Sequence, residues 1–498
     1  MTQQAPAGHP GGSTIDRQER EVTFDRAYAN RALVLLSVNV ALIVYIDIML
    51  TPALPTIVKE YGVTIAQASL LISLYTVFGV AVMPIAGKLG DIYGKKRVMV
   101  YLLIAYLAAA TATSVLPNFN LILISRFVQG VGLGVFPLAF SLAREQFPRN
   151  VVPRAQGLIS AVQVAGGALG LLGGAAVTSA LGWQGNYHIA IPVIASLTVL
   201  TYFVVRESSS RKPGVRLDYL GAAWLSASFT AIVLGLSEGA TWGWRSPPVL
   251  ALLVGGPVIL VPLAIYERRL AEPVLDLKLL RERNAMAANM LIIVYGLSIG
   301  IAFQTVVYAI ELPAPVGFGL SIVEAGFYLL PLVIVLSPVA YAVGIVIPRY
   351  GVKPFLYVGS ILGAAGFLLL STYSSPEEIA AYLAVFAVGQ GLMTVSIQNL
   401  LVLSVEKEKM GLGTSLNTAF RYVGQSLGAP VAGAVLSTIV ADYTVDGHMV
   451  SLPTRAAFQD CFYVAVVAFL AAGVLSIAGR EVIEKEPARG ETATATHT

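Results

Sequence analysis

Fourteen apolar blocks, each about as long as a helix must be to cross a ~30 Å hydrocarbon layer, constrain this chain more than any other feature. They fall at 30–51, 66–87, 98–116, 120–142, 155–181, 187–205, 217–237, 248–266, 287–310, 323–347, 354–372, 379–402, 412–440 and 458–479. Helices rather than barrel strands follow from block length, since a spanning strand needs only about ten residues and alternates polar with apolar. Hydrophobic residues make up 56% of the 498 and charged residues 12%, too few charges to cover a soluble protein of this size.

The cations set the orientation. With the N-terminus inside, 27 of the 32 Lys and Arg fall on the cytoplasmic side, whereas Lys59, Arg245 and Arg455 lie opposite and two sit within spans. This predicts a multi-pass protein of the plasma (inner) membrane with both termini cytoplasmic. The net charge of +4 then reflects orientation and not nucleic-acid binding. The polar tails 1–25 and 481–498 are expected to be disordered, with no removable signal peptide, and Cys461 to be a packing residue.

The most highly charged short connector is Gly87-Lys88-Leu89-Gly90-Asp91-Ile92-Tyr93-Gly94-Lys95-Lys96-Arg97, with four cations, one carboxylate and three glycines. Tyr93-Gly94-Lys95-Lys96 is echoed by Tyr350-Gly351-Val352-Lys353 eight spans later. Two six-helix halves with two helices inserted between them give that offset. The predicted division is a tail 1–25, a bundle 26–206, an inserted pair 207–283, a bundle 284–480 and a tail 481–498.

These residues resemble a known family. The 87–97 connector is similar to the loop signature of the major facilitator superfamily, and Arg126-Phe127-Val128-Gln129-Gly130-Val131-Gly132 with Pro137 looks like its fourth-helix motif. Ile46-Asp47 with Ala53-Leu54-Pro55-Thr56-Ile57 resembles the first-helix motif of the fourteen-span drug:proton antiporters. Trp242-Gly243-Trp244, Glu272-Pro273-Val274-Leu275 with Arg281 and Asn284, and Asn417, Arg421 and Gly428 resemble the same branch. Two departures stand out: Leu171 occupies the place of the family's proline in the span-five motif, and Trp183-Gln184-Gly185-Asn186-Tyr187-His188 keeps the first Trp but lacks the usual Arg-Trp. The resemblance implies an all-α polytopic fold of two six-helix bundles plus two inserted helices, about fourteen in all, and a non-enzymatic secondary transporter.

Candidate functional residues follow from charge inside apolar segments. Asp47 at bilayer depth costs about 2.5–3.5 kcal/mol on insertion scales, so it is read either as a proton or cation carrier or as a structural carboxylate. Pro52 leaves the carbonyl of Ile48 without its helical donor and loosens the helix beside it. Arg126 requires acceptors, with Asp47 or backbone carbonyls the candidates, and acts either in coupling, as the resemblance implies, or as glue between helices. Asp91 is expected to accept from amides at a helix N-terminus or to pair with Arg97 or another cation, latching the halves. Gly87, Gly90 and Gly94 supply backbone freedom, while Lys95, Lys96 and Arg97 also suit anchoring on anionic lipid. Gly166, Gly170 and Gly174 form a small-residue stripe for close helix contact.

Polar residues at helical spacing mark a possible substrate cavity or interhelical bonds: Gln390, Thr394 and Gln398; Asn417, Arg421 and Gln425; Gln304, Tyr308 and Glu311; and Tyr75 and Gln129 in the first half. A mostly apolar cavity with sparse polar groups suits lipophilic or cationic small molecules. No nucleotide-binding loop occurs, the four histidines are scattered, and no metal or cofactor is expected, so the energy source is an ion gradient or the substrate's own, and the resemblance implies a proton gradient. The expected partners are that substrate, protons and membrane lipids, with the chain acting as a monomer and no nucleic acid. A metabolite facilitator or symporter of the same fold, favoured by Leu171, and a non-transporting sensor or scaffold are the alternatives.

Overall fold

A computed structural model describes residues 26–147, 152–208, 218–270, 282–402, 410–445 and 448–479. The predicted tails, the 272–275 stretch and Arg281 lie outside the described residues. The chain is helical almost throughout. Helix α1 (Arg26–Ile48) is followed by a 3-10 turn (Thr51–Ala53) that contains Pro52 and by α2 (Leu54–Tyr61), so Asp47 lies one residue before the end of α1. Next come α3 (Ile65–Tyr93) and α4 (Lys95–Val115). Helices α5 (Phe119–Gln129) and α6 (Val135–Gln146) are joined by the 3-10 stretch Gly130–Gly134, and α7 (Val152–Val204) follows. The inserted pair is α8 (Tyr219–Trp242) and α9 (Pro247–Glu267). The second half holds α10 (Arg283–Glu311), α11 (Ile322–Tyr350), α12 (Lys353–Leu370), α13 (Pro376–Val402), α14 (Met410–Thr438) and α15 (Arg455–Leu475).

Twelve helical stretches among the described residues are long and apolar enough to cross a membrane, not fourteen. The difference has two sources. Helix α7 counts once, yet its 53 residues would extend about 80 Å if straight, and it breaks at Gly182 (φ 75°, ψ 168°) into two limbs. Helix α14 falls outside the twelve, its apolar face being interrupted by Asn417, Arg421 and Gln425. A second addition to the sequence picture is an antiparallel hairpin, β1 (Val440–Val445) with β2 (His448–Pro453), between α14 and α15.

The connector at 87–97 is not a loop. Residues before Gly94 complete α3 and those after it begin α4, so Gly94 alone makes the reversal, at φ 104°, with its N–H bonded to Gly90 O at 3.0 Å. Gly351 ends α11 in the same way, at φ 77° with its N–H on Ile347 O. The likeness extends along both helices. α3 and α11 each have 29 residues, begin with Ile and end with Tyr, and each is preceded by a capping box, Thr64 with Gln67 and Ser321 with Glu324.

Packing repeats the same relation. On α7, Gly166, Gly170 and Gly174 lie against Ala41 and Tyr45 of α1 and Met49 just after it; a Cβ at Gly170 would stand 2.7 Å from Tyr45 O. In the second half α10 and α14 interlock reciprocally: Gly296 and Gly300 face Arg421 and Gln425, while Gly424 and Gly428 face Ile293 and Leu297. Contacts between the halves form two seams, α3 with α14 and α7 with α11. The repeat that carries α3 onto α11 and α7 onto α14 exchanges these seams, as a tandemly duplicated helical body requires. Helix α8 packs on α9 and also on both α3 and α14, so the inserted pair covers one seam.

Candidate functional site

Glycine sets the geometry of the first-half centre. Gly79 of α3 and Gly130 of the 3-10 stretch meet backbone to backbone, a Cβ at Gly79 standing 2.9 Å from Gly130 O. This draws α5 onto α3 and brings Arg126 under the α3 backbone. Its Nε donates to Leu71 O at 2.9 Å, and its Nη1 donates to Gln129 Oε1 at 2.6 Å and to Tyr187 OH at 3.3 Å. The guanidinium lies 4.6 Å from the centroid of the Tyr75 ring, a cation–π contact in a desolvated setting. Arg126, Gln129, Tyr75, Tyr106 and Tyr187 are all completely buried.

Asp47 is 8% exposed and its Oδ1 has no hydrogen-bond partner. The expected ion pair with Arg126 does not form: among the described residues the guanidinium is held by a carbonyl, an amide and a phenol instead. Arg126 Nη2, Gln129 Nε2, Tyr75 OH and Tyr106 OH also lack partners. A buried polar atom left unpaired costs about 1–3 kcal/mol, so a cluster of five from four spans marks this centre as the candidate site.

In the charged connector Asp91 finds a cation, though not Arg97. Asp91 neither meets a helix N-terminus nor pairs with Arg97; it lies at the end of α3 and pairs with Lys95 at 3.2 Å. Lys95 is buried and also binds Glu145 of α6, whose other oxygen accepts from Ser208 Oγ at 2.5 Å. Glu207 does the capping: its two carboxylate oxygens accept from the amides of Lys96 (3.0 Å) and Arg97 (3.1 Å), at the positive end of α4. These partners lie on the ends of α3, α4 and α6 and on the segment just after α7, so the cluster ties those helix ends together. Gly90 packs on Leu138, whereas Gly87 has open space where a side chain would go. Replacing Glu207 by Ala is expected to lower stability by about 0.5–2 kcal/mol, as lost helix caps do, read as a lower melting temperature in detergent.

The polar stripes separate by environment. Asn417 is absorbed in packing, its Nδ2 donating to Asn289 Oδ1 at 3.0 Å and Ala288 O at 3.3 Å. Arg421 stacks on Tyr422, and Tyr422 faces Phe136 of the first half with centroids 6.5 Å apart. Gln425 is half-buried beside Gly300. On α13, Thr394 bonds Tyr295 OH and Gln390 O, Gln390 Oε1 is unpaired, and Gln398 is exposed. On α10, Gln304 and Tyr308 are buried with all their side-chain polar atoms unpaired, and so is Glu311 Oε1. Gln304 lies near Gly433, which itself packs on Ala66 of α3, so this stripe runs into the α3–α14 seam.

Sequence reasoning missed Glu207, Glu145, Tyr106 and Tyr295, which lie in apolar runs or just beyond span ends, where nothing in their spacing distinguishes them. The degenerate stretch after span five does have a structural task. Trp183 Nε1 and Gln184 Nε2 donate to the two oxygens of Glu60 at 2.9 and 3.0 Å, tying α2 to the second limb of α7. Asn186 bridges Tyr45 OH, Thr178 and Gly174 O. Leu171 keeps the amide a proline would remove, and α7 runs unbroken past it to Gly182.

Two duplicated helical halves around buried, unpaired charged and polar groups define a polytopic membrane transporter. The profile of the Major Facilitator Superfamily matches residues 36–429 and 342–496, and the chain belongs to that family. An uncharacterised transporter of this type from Mycobacterium tuberculosis is 33% identical over 400 residues, 78% of this chain; the match spans just over half (56%) of that relative's length. The multidrug transporter protein MdtP of Bacillus subtilis is 27% identical across 81% of this chain and 75% of its own. The tetracenomycin C resistance and export protein of Streptomyces glaucescens is 26% identical across 83% and 77%. Among solved structures, a bacterial homologue of the human lysosomal transporter Spinster superposes with a TM-score of 0.65 at 14% identity, covering 91% of this chain and 98% of its own, a likeness of fold.

Proposed function

We propose that this protein is a secondary active exporter that exchanges protons for lipophilic or cationic small molecules by alternating access, working as a monomer in the plasma (inner) membrane with both termini cytoplasmic. The carrying observation is Asp47, buried in the last turn of α1 with a carboxylate oxygen that no group among the described residues satisfies. Bilayer-depth carboxylates are retained where protons or cations move. Arg126, held by neutral acceptors, leaves that carboxylate free to take up and release a proton while its own charge stays fixed. The export names of the Bacillus and Streptomyces relatives support the direction and the substrate class. The unpaired amides and hydroxyls of Gln304, Tyr308 and Gln390 supply sparse polar points in a largely apolar interior, which favours breadth over a single fixed ligand.

A dedicated facilitator or symporter is the second reading, supported by Leu171 in place of the exporter proline. Transport into everted vesicles separates the two. Under an inward-acid pH gradient a fluorescent lipophilic cation is expected to accumulate, and an uncoupler is expected to release it. Accumulation indifferent to collapse of the gradient overturns proton antiport.

A further inference from the structure

A cavity of about 380 Å³ lies apart from the Asp47–Arg126 centre, at the helix ends farthest from Gly94. It is walled by the first turn of α3, the corner before α5 and the last turns of α8. We propose that it is a binding site for an organic ammonium ion bearing an aromatic or apolar group.

Three observations fit that chemistry. Glu238 is the one formally charged residue in the lining, which contains no Lys, Arg or His. The rings of Tyr61 and Phe119 line the cavity too, packed on each other with centroids 5.8 Å apart and tilted by 45°, so two aromatic rings and a carboxylate border one small volume, a combination that suits organic cations. Finally, the carboxylate is prearranged but under-compensated. Gln67 Oε1 is engaged by the amide of Thr64 in the α3 capping box, which turns its Nε2 toward Glu238, where it sits at 3.3 Å from both oxygens, a long contact for one neutral donor. Leu70 and Leu123 supply apolar walls for the ligand's hydrocarbon part. The volume is in the range of small-molecule sites. An anionic ligand would meet an unscreened carboxylate here, which excludes phosphate-type headgroups lacking an amine.

The site explains a use for the inserted pair, because Glu238 belongs to α8 and the other groups to the first half. Its ligand therefore bridges α8 to α3.

The test uses the full chain in nanodiscs of phosphatidylglycerol alone, with ethidium as probe and its photoreactive azide for mapping. Labelling is expected on peptides containing Tyr61 or Phe119. Glu238→Gln is expected to weaken that labelling by about tenfold in probe concentration, the loss of one short-range charge contact. Leu123→Trp, which fills the cavity, is expected to abolish it. Asp47→Asn is expected to leave it unchanged, so the result stands whether or not proton exchange does. Labelling of these peptides at wild-type strength in both Glu238→Gln and Leu123→Trp overturns the proposal, as does equal protection by a neutral aromatic analogue. Adding phosphatidylethanolamine identifies the source: displacement of the probe assigns the site to a lipid ammonium headgroup, and no displacement assigns it to a soluble cation.

Discussion

Asp47→Asn is expected to abolish gradient-driven export while leaving substrate-for-substrate exchange in place. The amide preserves the volume and the polar contacts available at the α1 break but cannot carry a proton across. Its effect on folding is expected to be small or favourable, because it removes a buried charge that no donor satisfies at Oδ1. The loss is therefore one of coupling. In everted vesicles, accumulation driven by the pH gradient should fall to the level of leak, at least about tenfold below the parent, whereas preloaded vesicles should still exchange labelled for unlabelled substrate. Unaltered uphill export in the variant removes Asp47 from the mechanism. Arg126→Ala should behave differently: it strips three buried side chains and a carbonyl of their shared cation, and breaking such a buried charged network typically costs about 3–5 kcal/mol. Its failure would appear as lost folded protein before it appeared as lost coupling.

A large effect on stability is also expected from Gly428→Val. A Cβ there would meet Leu297 O, stand 2.7 Å from Gly300 Cα and 2.9 Å from Ile301 N, all backbone atoms of α10 that no rotamer change can move. The two helices must then separate along the whole Gly296, Gly300, Gly424 and Gly428 interlock. Overpacking of a rigid contact costs about 1–3 kcal/mol, and Val adds two further methyl groups on the same backbone, so the variant is expected at or beyond the upper end. Gly255→Ala in α9 is the control. It has open space at Cβ and helical neighbours, and is expected to be neutral or to stabilise by about 0.4–1 kcal/mol. Thermal unfolding of both in the same detergent checks the pair; a melting temperature for Gly428→Val equal to that of the parent would show that α10 and α14 do not pack through their backbones.

The features legible in the sequence are those with a strong local cause. Hydropathy and length located the helices to within a few residues, and the echo of Tyr93-Gly94 in Tyr350-Gly351 found the two reversals that sit at equivalent points of α3 and α11. Asp47 and Arg126 were visible because charge in an apolar run is costly. Less legible was whatever depends on which helices meet. Nothing in the spacing says that Arg126 would turn to Leu71 O and Tyr187 rather than to Asp47, since that choice is made by the Gly79–Gly130 approach. The same holds for Glu207, which lies more than a hundred residues from the amides it caps. Connector length was misjudged at Gly94 for a different reason: hydropathy drops where α3 leaves the hydrocarbon, but the helix continues in water because its backbone bonds do not depend on apolar side chains.

Helix α8 touches α3 from one half and α14 from the other. Under the proposed alternating access, rocking that opens the seam between those two helices would shear α8 against at least one of them, and the inserted pair would then carry a mechanical load in each cycle. Excising it would not merely shorten the chain; it would change the stiffness of one seam and leave its symmetry mate untouched, and a body built to move evenly would then move with a bias.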